Sequence, residues 1–336
     1  MAYIHVKEIG NKKYYSLRMS VRKGDRVITK DICNLGNNLS KINIEDLEKK
    51  YKDKIRKSHK TIKRFLETNH YLEKVKKLRI KEDKYLNREQ MLNVESILLH
   101  YKSRFLKLDN LTKREILDNF TINFAVNSNS IEGNTITLKE AYNLINEDIT
   151  PKNRTLREVY ELTNTKIVMK FLENKSHDIN SELIEKIHDM LLENIDNRKR
   201  FRTHDIRILG QPFKPSPAIY VKSDIKSLLE WYNKYKDKLH PLVLITLFHH
   251  KFENIHPFSD GNGRTGRILI NYMLYLCNYP LFIISRRFRK EYLKLMNQSD
   301  KVLSKNLLDD NSNDYKQLID FIYSQFKISY WDNFMI

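Results

Sequence analysis

The sequence predicts a mainly α-helical protein, with a small antiparallel β meander at its N-terminus and a short β-hairpin flap inside the helical part. Three observations lead there. Only 8 Gly and 7 Pro interrupt 336 residues, which leaves long stretches free of breakers. From Thr112 onward, apolar residues recur at the three- and four-residue spacing of one helix face. Ahead of that, three short runs alternate in period two, the mark of half-buried strands.

The strands are expected over residues 3–9, 14–21 and 27–33, rich in Tyr, Val and Ile and separated by Gly10-Asn11 and Lys23-Gly24-Asp25. Strands this short need another element to cover one face. The basic segment that follows supplies it, passing from turn residues into helical periodicity with Ser40 or Asn43 as the cap. A second basic helix is expected from Asn87 to about Leu106, after a polar break at Lys81–Lys84. Further helices are expected near 112–122, 125–132, 137–147, 154–173, 180–194, 223–235, 240–253, 262–277, 288–297 and 313–327. The exception is RTHDIRILGQPFKPSPAIYV, where Ile206 and Ile208 alternate and three prolines oppose a helix. It reads as an extended flap over 206–220. The organisation is then a meander over 1–36, a basic helical arm over 37–110 and a helical region over 111–336.

Composition narrows the function classes. Hydrophobic residues make up 40% of the chain, which excludes collagen-like, mucin-like and wholly disordered chains. Cys33 and Cys277 are the two cysteines, too few for a disulfide scaffold, and read as free thiols of a reducing compartment. No run of 18 apolar residues predicts a membrane span, and no apolar leader opens the chain. A cytoplasmic location without membrane attachment is expected. The formal net charge is +19, and residues 1–110 hold 28 basic against 14 acidic side chains. Such a field attracts acidic partners. Target docking or regulation is the first reading of the meander and arm, a purely structural extension the second, and nucleic acid ranks last because no zinc-finger or helix-turn-helix pattern accompanies the charge.

The chemistry concentrates in residues 256–267, HPFSDGNGRTGR, which join the apolar helical patterns LVLITLFHHKF and RILINYMLYL. Gly261 and Gly263 expose backbone N–H groups at a helix start, which is an anion-binding arrangement. Arg264 and Arg267 lie three apart on that helix and can face one polyanion. Asp260 is a hard oxygen ligand suited to magnesium held between carboxylate and phosphates. His256 is the group that can take a proton near neutral pH. Phe258, between polar positions, turns inward as an anchor. These residues make a magnesium–polyphosphate site with a general base. No Gly-x-x-x-x-Gly-Lys-(Ser/Thr) or His-Glu-x-x-His occurs, which excludes P-loop kinase and metalloprotease chemistry.

The same twelve residues resemble the signature of the Fic (filamentation induced by cAMP) family, His-x-Phe-x-(Asp/Glu)-Gly-Asn-Gly-Arg-x-x-Arg, with every fixed position present. Supporting pieces are Glu158-Val159, Asn164, His188, Arg202 and SRRFRKEYLKLM, so the likeness runs from about Leu111 to about Gln317. It departs at Lys199, where the family often has glycine. The resemblance implies a Fic-type helical core and a protein adenylyltransferase that moves AMP from ATP to a Ser, Thr or Tyr hydroxyl. It implies that His256 deprotonates the target and Asp260 holds Mg²⁺, with Mn²⁺ as a substitute. Asn262 with the amides of Gly261 and Gly263 would hold the α-phosphate, and Arg264 and Arg267 the outer phosphates. The flap would pair with the target segment, self-modification included.

Residues 128–133, SNSIEG, read alone as a short helix ended by glycine. Beside the catalytic stretch they resemble the family's inhibitory motif (Ser/Thr)-x-x-x-Glu-(Gly/Asn), expected on a helix over about 124–133. Ser128 and Glu132 would then restrain the site by engaging Arg267. Two alternatives remain at this stage: removal of AMP with Glu132 orienting water, and a nucleotide-binding interaction protein without turnover. Target identity and monomer or homodimer state are not written in these residues.

Overall fold

The computed structural model describes residues 1–10, 12–80, 83–207, 214–303 and 315–335. Two compact units divide the chain: residues 1–82, 88–107 and 334–336 form one, and 83–87 with 108–333 the other.

In the first unit, β1 (Ala2–Ile9), β2 (Lys12–Lys23) and β3 (Arg26–Gly36) form an antiparallel sheet in the order β1-β2-β3. Ala2 faces Met19 and Ile4 faces Leu17, so the period-two pattern puts one row of side chains on the core side. Register shifts at Tyr15/Ser16 and Leu17/Arg18 bend the β2–β3 pair. Ala2, Tyr15 and Leu17 are buried against Leu47 and Ile55 of α1 (Ile44–Ile55) and Ile62 and Leu66 of α2 (His59–Val75). The basic helices thus supply the apolar cover that short strands need. Asn43 is the cap of α1, its side chain accepting from Glu45 N–H, while Ser40 lies in a preceding 3-10 turn. Residues Arg88–Ser103 form α3.

The second unit is helical. One expectation is corrected at its start: the two helices near 112–122 and 125–132 are a single helix, α4 (Asn110–Ile131). TINFAV contains no breaker, and Phe120, Ile122, Phe124 and Ala125 are all buried, so packing carries the helix through. The proposed inhibitory segment is therefore the last turns of α4, and Glu132 is its C-cap. Capping boxes at Thr137/Glu140 and Thr155/Glu158 start α5 (Leu138–Asn146) and α6 (Leu156–Phe171). Then come α7 (Ser181–Leu191) and α8 (Val221–Tyr235). The turn of the expected flap, Ile208–Phe213, lies outside the described residues; the described flanks hold no strand, and Ala218–Tyr220 form a 3-10 turn.

Two helices occupy the centre. Leu242 through Phe252 of α9 (Pro241–Ile255) are all buried, as are Arg264 through Leu274 of α10 (Asn262–Leu276). A helix buried on every side belongs to the core, and the loop between these two inherits its rigidity. α11 (Arg289–Leu303) and α12 (Tyr315–Asn333) pack beside α9, and α12 runs beyond the helix expected near 313–327. Cys33 and Cys277 are free thiols. Among the described residues no helix is long and apolar enough to cross a membrane.

Candidate active site

The loop between α9 and α10 is held from both sides. His256 ends α9 with φ of +53°, a left-handed conformation that costs a non-glycine residue roughly 1 kcal/mol. Arg202, whose side chain is fully buried, donates from Nε to the His256 carbonyl at 2.8 Å, and its own backbone N–H bonds Pro257 O at 2.9 Å. Phe258 is the inward anchor expected of it: it stacks on His188 with ring centres 3.7 Å apart and planes 4° from parallel. His188 Nε2 in turn bonds the Asp260 carbonyl at 3.1 Å.

Asn262 spends both ends of its amide on Phe258, accepting its N–H at 2.9 Å and donating to its carbonyl at 2.8 Å. Its side chain therefore closes the loop, and what it offers an anion is its backbone N–H. Gly261, at φ of +77°, turns the chain into α10. The first intrahelical bond is Thr265 N–H to Gly261 O, so the N–H groups of 262–264 precede the ladder at the positive helix end.

His256 Nδ1 lies 3.2 Å from the Glu253 carbonyl. A carbonyl only accepts, so Nδ1 carries the hydrogen and Nε2 is the basic nitrogen. Removal from solvent pushes the imidazole pKa down to about 4, the Glu253 carbonyl opposing this and Arg202 adding to it. The ring is neutral at physiological pH, as a base must be. Asp260 is charged there: burial would raise its carboxyl pKa, but Arg264, Arg157 and the Gly261 N–H outweigh burial and hold it below the ordinary value.

Arg264 and Arg267 are both buried. Arg264 lies 3.3 Å from Glu161 and 3.4 Å from Asp260, yet its Nε and Nη1 make no hydrogen bond. Nη1 still faces the Glu161 carboxylate as an ion pair, whereas a buried Nε–H with no acceptor is costly unless a ligand supplies an oxygen. Arg267 is committed within the chain: Nε donates to Ser128 Oγ at 3.0 Å, and Nη2 to Ser128 O at 3.0 Å and Glu132 Oε1 at 2.7 Å. Ser128 and Glu132 thus meet Arg267 across 135 or more residues of sequence. The Glu132 carboxylate also lies over Gly263, where a Cβ would come within 2.2 Å of its Oε1. It sits at the positive end of α10.

The residues present fit a magnesium nucleotide. Among the described residues no cluster of three His, Cys, Asp or Glu could enclose a metal, so Asp260 would be a lone carboxylate ligand, and phosphate oxygens and water would complete the shell, as is usual for Mg²⁺. The open Nε–H of Arg264 and the α10 N-terminus point to the anion that brings those oxygens.

Two parts of the site had little signal in the sequence. Arg157 and Glu161, on α6, reach Asp260 and Arg264; no local pattern links them to a loop 100 residues away. Behind the loop, Glu253 Oε1 and His249 Nδ1 are buried without a hydrogen bond, both within 3 Å of where a Gly266 Cβ would stand. An acidic residue three before His256, on a helix buried through Phe252, was the available clue. Burial pushes the Glu253 carboxyl pKa up to about 8, Arg267 opposing and Glu132 adding. The folded state therefore keeps a proton that the unfolded chain loses above its ordinary 4.5. Stability from this group is complete below that value and declines as pH rises towards 8. We expect the wild-type Tm to fall between pH 6 and pH 9, while Glu253→Gln flattens that fall by about 5 °C; parallel curves for the two proteins would refute a neutral Glu253.

A family model described as Fic/DOC family matches residues 178–274, the span of α7 to α10. Protein adenylyltransferase Fic of Drosophila willistoni is 31% identical over 185 residues, covering 51% of this chain and 36% of the relative; that of Drosophila mojavensis is equally identical, with 35% of its length covered. The chain thus spans about a third of the length of these curated relatives. A Fic domain containing signaling protein from Bacteroides thetaiotaomicron has a similar structure, with a TM-score of 0.64, 25% identity, and 70% of this chain and 93% of that one covered. Residues 134–508 of Fic-1 from C. elegans share the fold at a TM-score of 0.60 and 22% identity, over 73% of this chain and 70% of that one. With the buried arginines, the anchored loop and the histidine at its head already in view, the helical core is similar to the Fic/DOC family over residues 178–274 and to known Fic proteins in sequence and fold.

Proposed function

We propose that the protein is an adenylyltransferase that moves AMP from ATP to a hydroxyl of a target protein and releases pyrophosphate. The observation that carries this reading is the pairing of a neutral, Nδ1-anchored His256 with the open Nε–H of Arg264 at the start of α10. The curated Drosophila relatives, protein adenylyltransferases, agree with it.

In this reading His256 Nε2 accepts the proton of the target hydroxyl as its oxygen bonds the α-phosphorus, and the bond to the pyrophosphate oxygen breaks. The N–H groups of 262–264 receive the α-phosphate oxygens, and Arg264 the charge on the leaving group. Asp260 would hold Mg²⁺ together with phosphate oxygens, and the bound ion would supply positive charge for the leaving pyrophosphate. Arg202 and Phe258 keep the loop in register throughout. The flap, residues 206–220, holds the target segment by main-chain hydrogen bonds. Self-modification needs no second protein and is the first readout to try.

Arg267 serves the outer phosphates only when Glu132 releases it. Wild-type protein is therefore a restrained enzyme, with Ser128 keeping Arg267 oriented while the carboxylate is displaced. A second reading rests on Glu132 itself. Its side chain remains 41% exposed, so solvent reaches the carboxylate, which could orient water for removal of AMP from a modified protein with His256 as the acid. The deciding experiment combines purified protein with α-³²P-ATP and Mg²⁺, and separately with a pre-adenylylated protein. Label gained supports transfer; label lost from the modified protein reverses the direction. Neither result from wild type and Glu132→Gly alike would return the chain to a nucleotide-binding protein without turnover.

A further inference from the structure

Four charged side chains close a ring at the mouth of the site. Arg157 Nε lies 3.1 Å from Glu161 Oε1, and Glu161 Oε1 lies 3.3 Å from Arg264 Nη1. Arg264 Nη2 lies 3.4 Å from Asp260 Oδ1, and Asp260 Oδ2 accepts a hydrogen bond from Arg157 Nη2. Each guanidinium touches both carboxylates, and the charges cancel. The members differ in mobility. Glu161 is buried, and its other oxygen accepts from Asn134 at 3.0 Å. Arg157 leaves 53% of its side chain exposed and Asp260 34%.

The two oxygens of Asp260 are not equivalent. Oδ1 is fixed by the Gly261 N–H at 2.6 Å and by Arg264, and both contacts shape the loop. Oδ2 is the oxygen a cation can take without disturbing that turn, and Arg157 holds it. We propose that Arg157 and a divalent cation are mutually exclusive partners of Asp260 Oδ2. Arg157 is then a positioning residue that keeps the carboxylate aimed and neutralised until the cation arrives. Glu161 retains Arg157 after the exchange, so the freed guanidinium stays beside the phosphates. The inference rests on the assignment of Asp260 as the metal ligand in the reading above.

The test measures metal affinity and not turnover. Mn²⁺ is titrated into the full-length chain with α,β-methylene-ATP, and free Mn²⁺ is followed by electron paramagnetic resonance. Arg157→Gln removes the competitor and its charge together, so Mn²⁺ should bind about fivefold more tightly or better. Arg198→Gln is the control. Arg198 is exposed, pairs with Asp196 and reaches Asp260 only through space, so its loss should change affinity by less than about twofold in salt. Arg157→Lys, which keeps the charge but not the two-pronged contact, should fall between wild type and Arg157→Gln, and it carries the test if Arg157→Gln melts early. Unchanged or weaker Mn²⁺ binding in the Arg157 variants overturns the exchange, as does equal tightening in Arg198→Gln. If wild type itself binds no Mn²⁺ saturably, the metal assignment of Asp260 fails first and the exchange with it.

Discussion

His256→Ala should lower label transfer from α-³²P-ATP by about 10³-fold, within the usual range for loss of a positioned general base, while ATP affinity changes little. The split follows from the geometry. The imidazole is held through Nδ1 by the Glu253 carbonyl, and the anion donors belong to other residues: the start of α10 and Arg264. Because the ring pKa is pushed down to about 4, the acid limb of the transfer rate should lie well below pH 6, not near the ordinary histidine value. A parallel loss of ATP binding in His256→Ala, measured by calorimetry, would move His256 from the chemistry to the architecture of the loop. A limb near pH 6.5 would mean that the base is not this ring in its buried setting.

Glu132→Gly should raise transfer by about 5- to 150-fold, the span of a coupling of about one to three kcal/mol. Arg267 is fully enclosed, and its charge is supported by Glu132 at 2.7 Å. A phosphate must displace that carboxylate from both the guanidinium and the α10 N-terminus before it can use either. Deleting the carboxylate removes the competitor and leaves Ser128 bonded to Arg267 Nε, so the arginine stays aimed. Glu132→Gln is the informative companion: it retains bulk over Gly263 and loses the charge. If Glu132→Gly labels itself and its targets no faster than wild type, competition for Arg267 is not what limits the enzyme. Activation in Glu132→Gly but not in Glu132→Gln would assign the restraint to occupied space and not to the ion pair.

Local signals were readable wherever the cause was local. The meander, the capping of α5 and α6 by Thr-x-x-Glu pairs, and the twelve-residue stretch at the head of α10 all follow from residues a few positions apart. The split of α4 into two helices went the other way. The expected gap fell at the polar Asn123, but Asn127 bonds back to Asn123 O at 2.9 Å and the apolar face stays buried. Asn262 shows the same limit inside the site. Its place in the stretch suggests a phosphate contact, and its side chain is taken by Phe258 four residues earlier.

The sequence by itself determined the helical class, the N-terminal sheet, and the loop whose histidine, carboxylate, glycines and arginines belong together, because turn chemistry, periodicity and short spacing are properties of neighbouring residues. The resemblance to the Fic signature anticipated Glu132 at Arg267, but the tertiary structure was needed to bring the two together, to close the ring of Arg157 and Glu161 with Asp260 and Arg264, and to shut Glu253 in behind them. Those contacts join α4, α6 and α9 to α10 across as many as 139 residues. Burial sets their strength: in a packed, poorly solvated core a charge must find its partner wherever the fold brings one, and no stretch of chain carries that address.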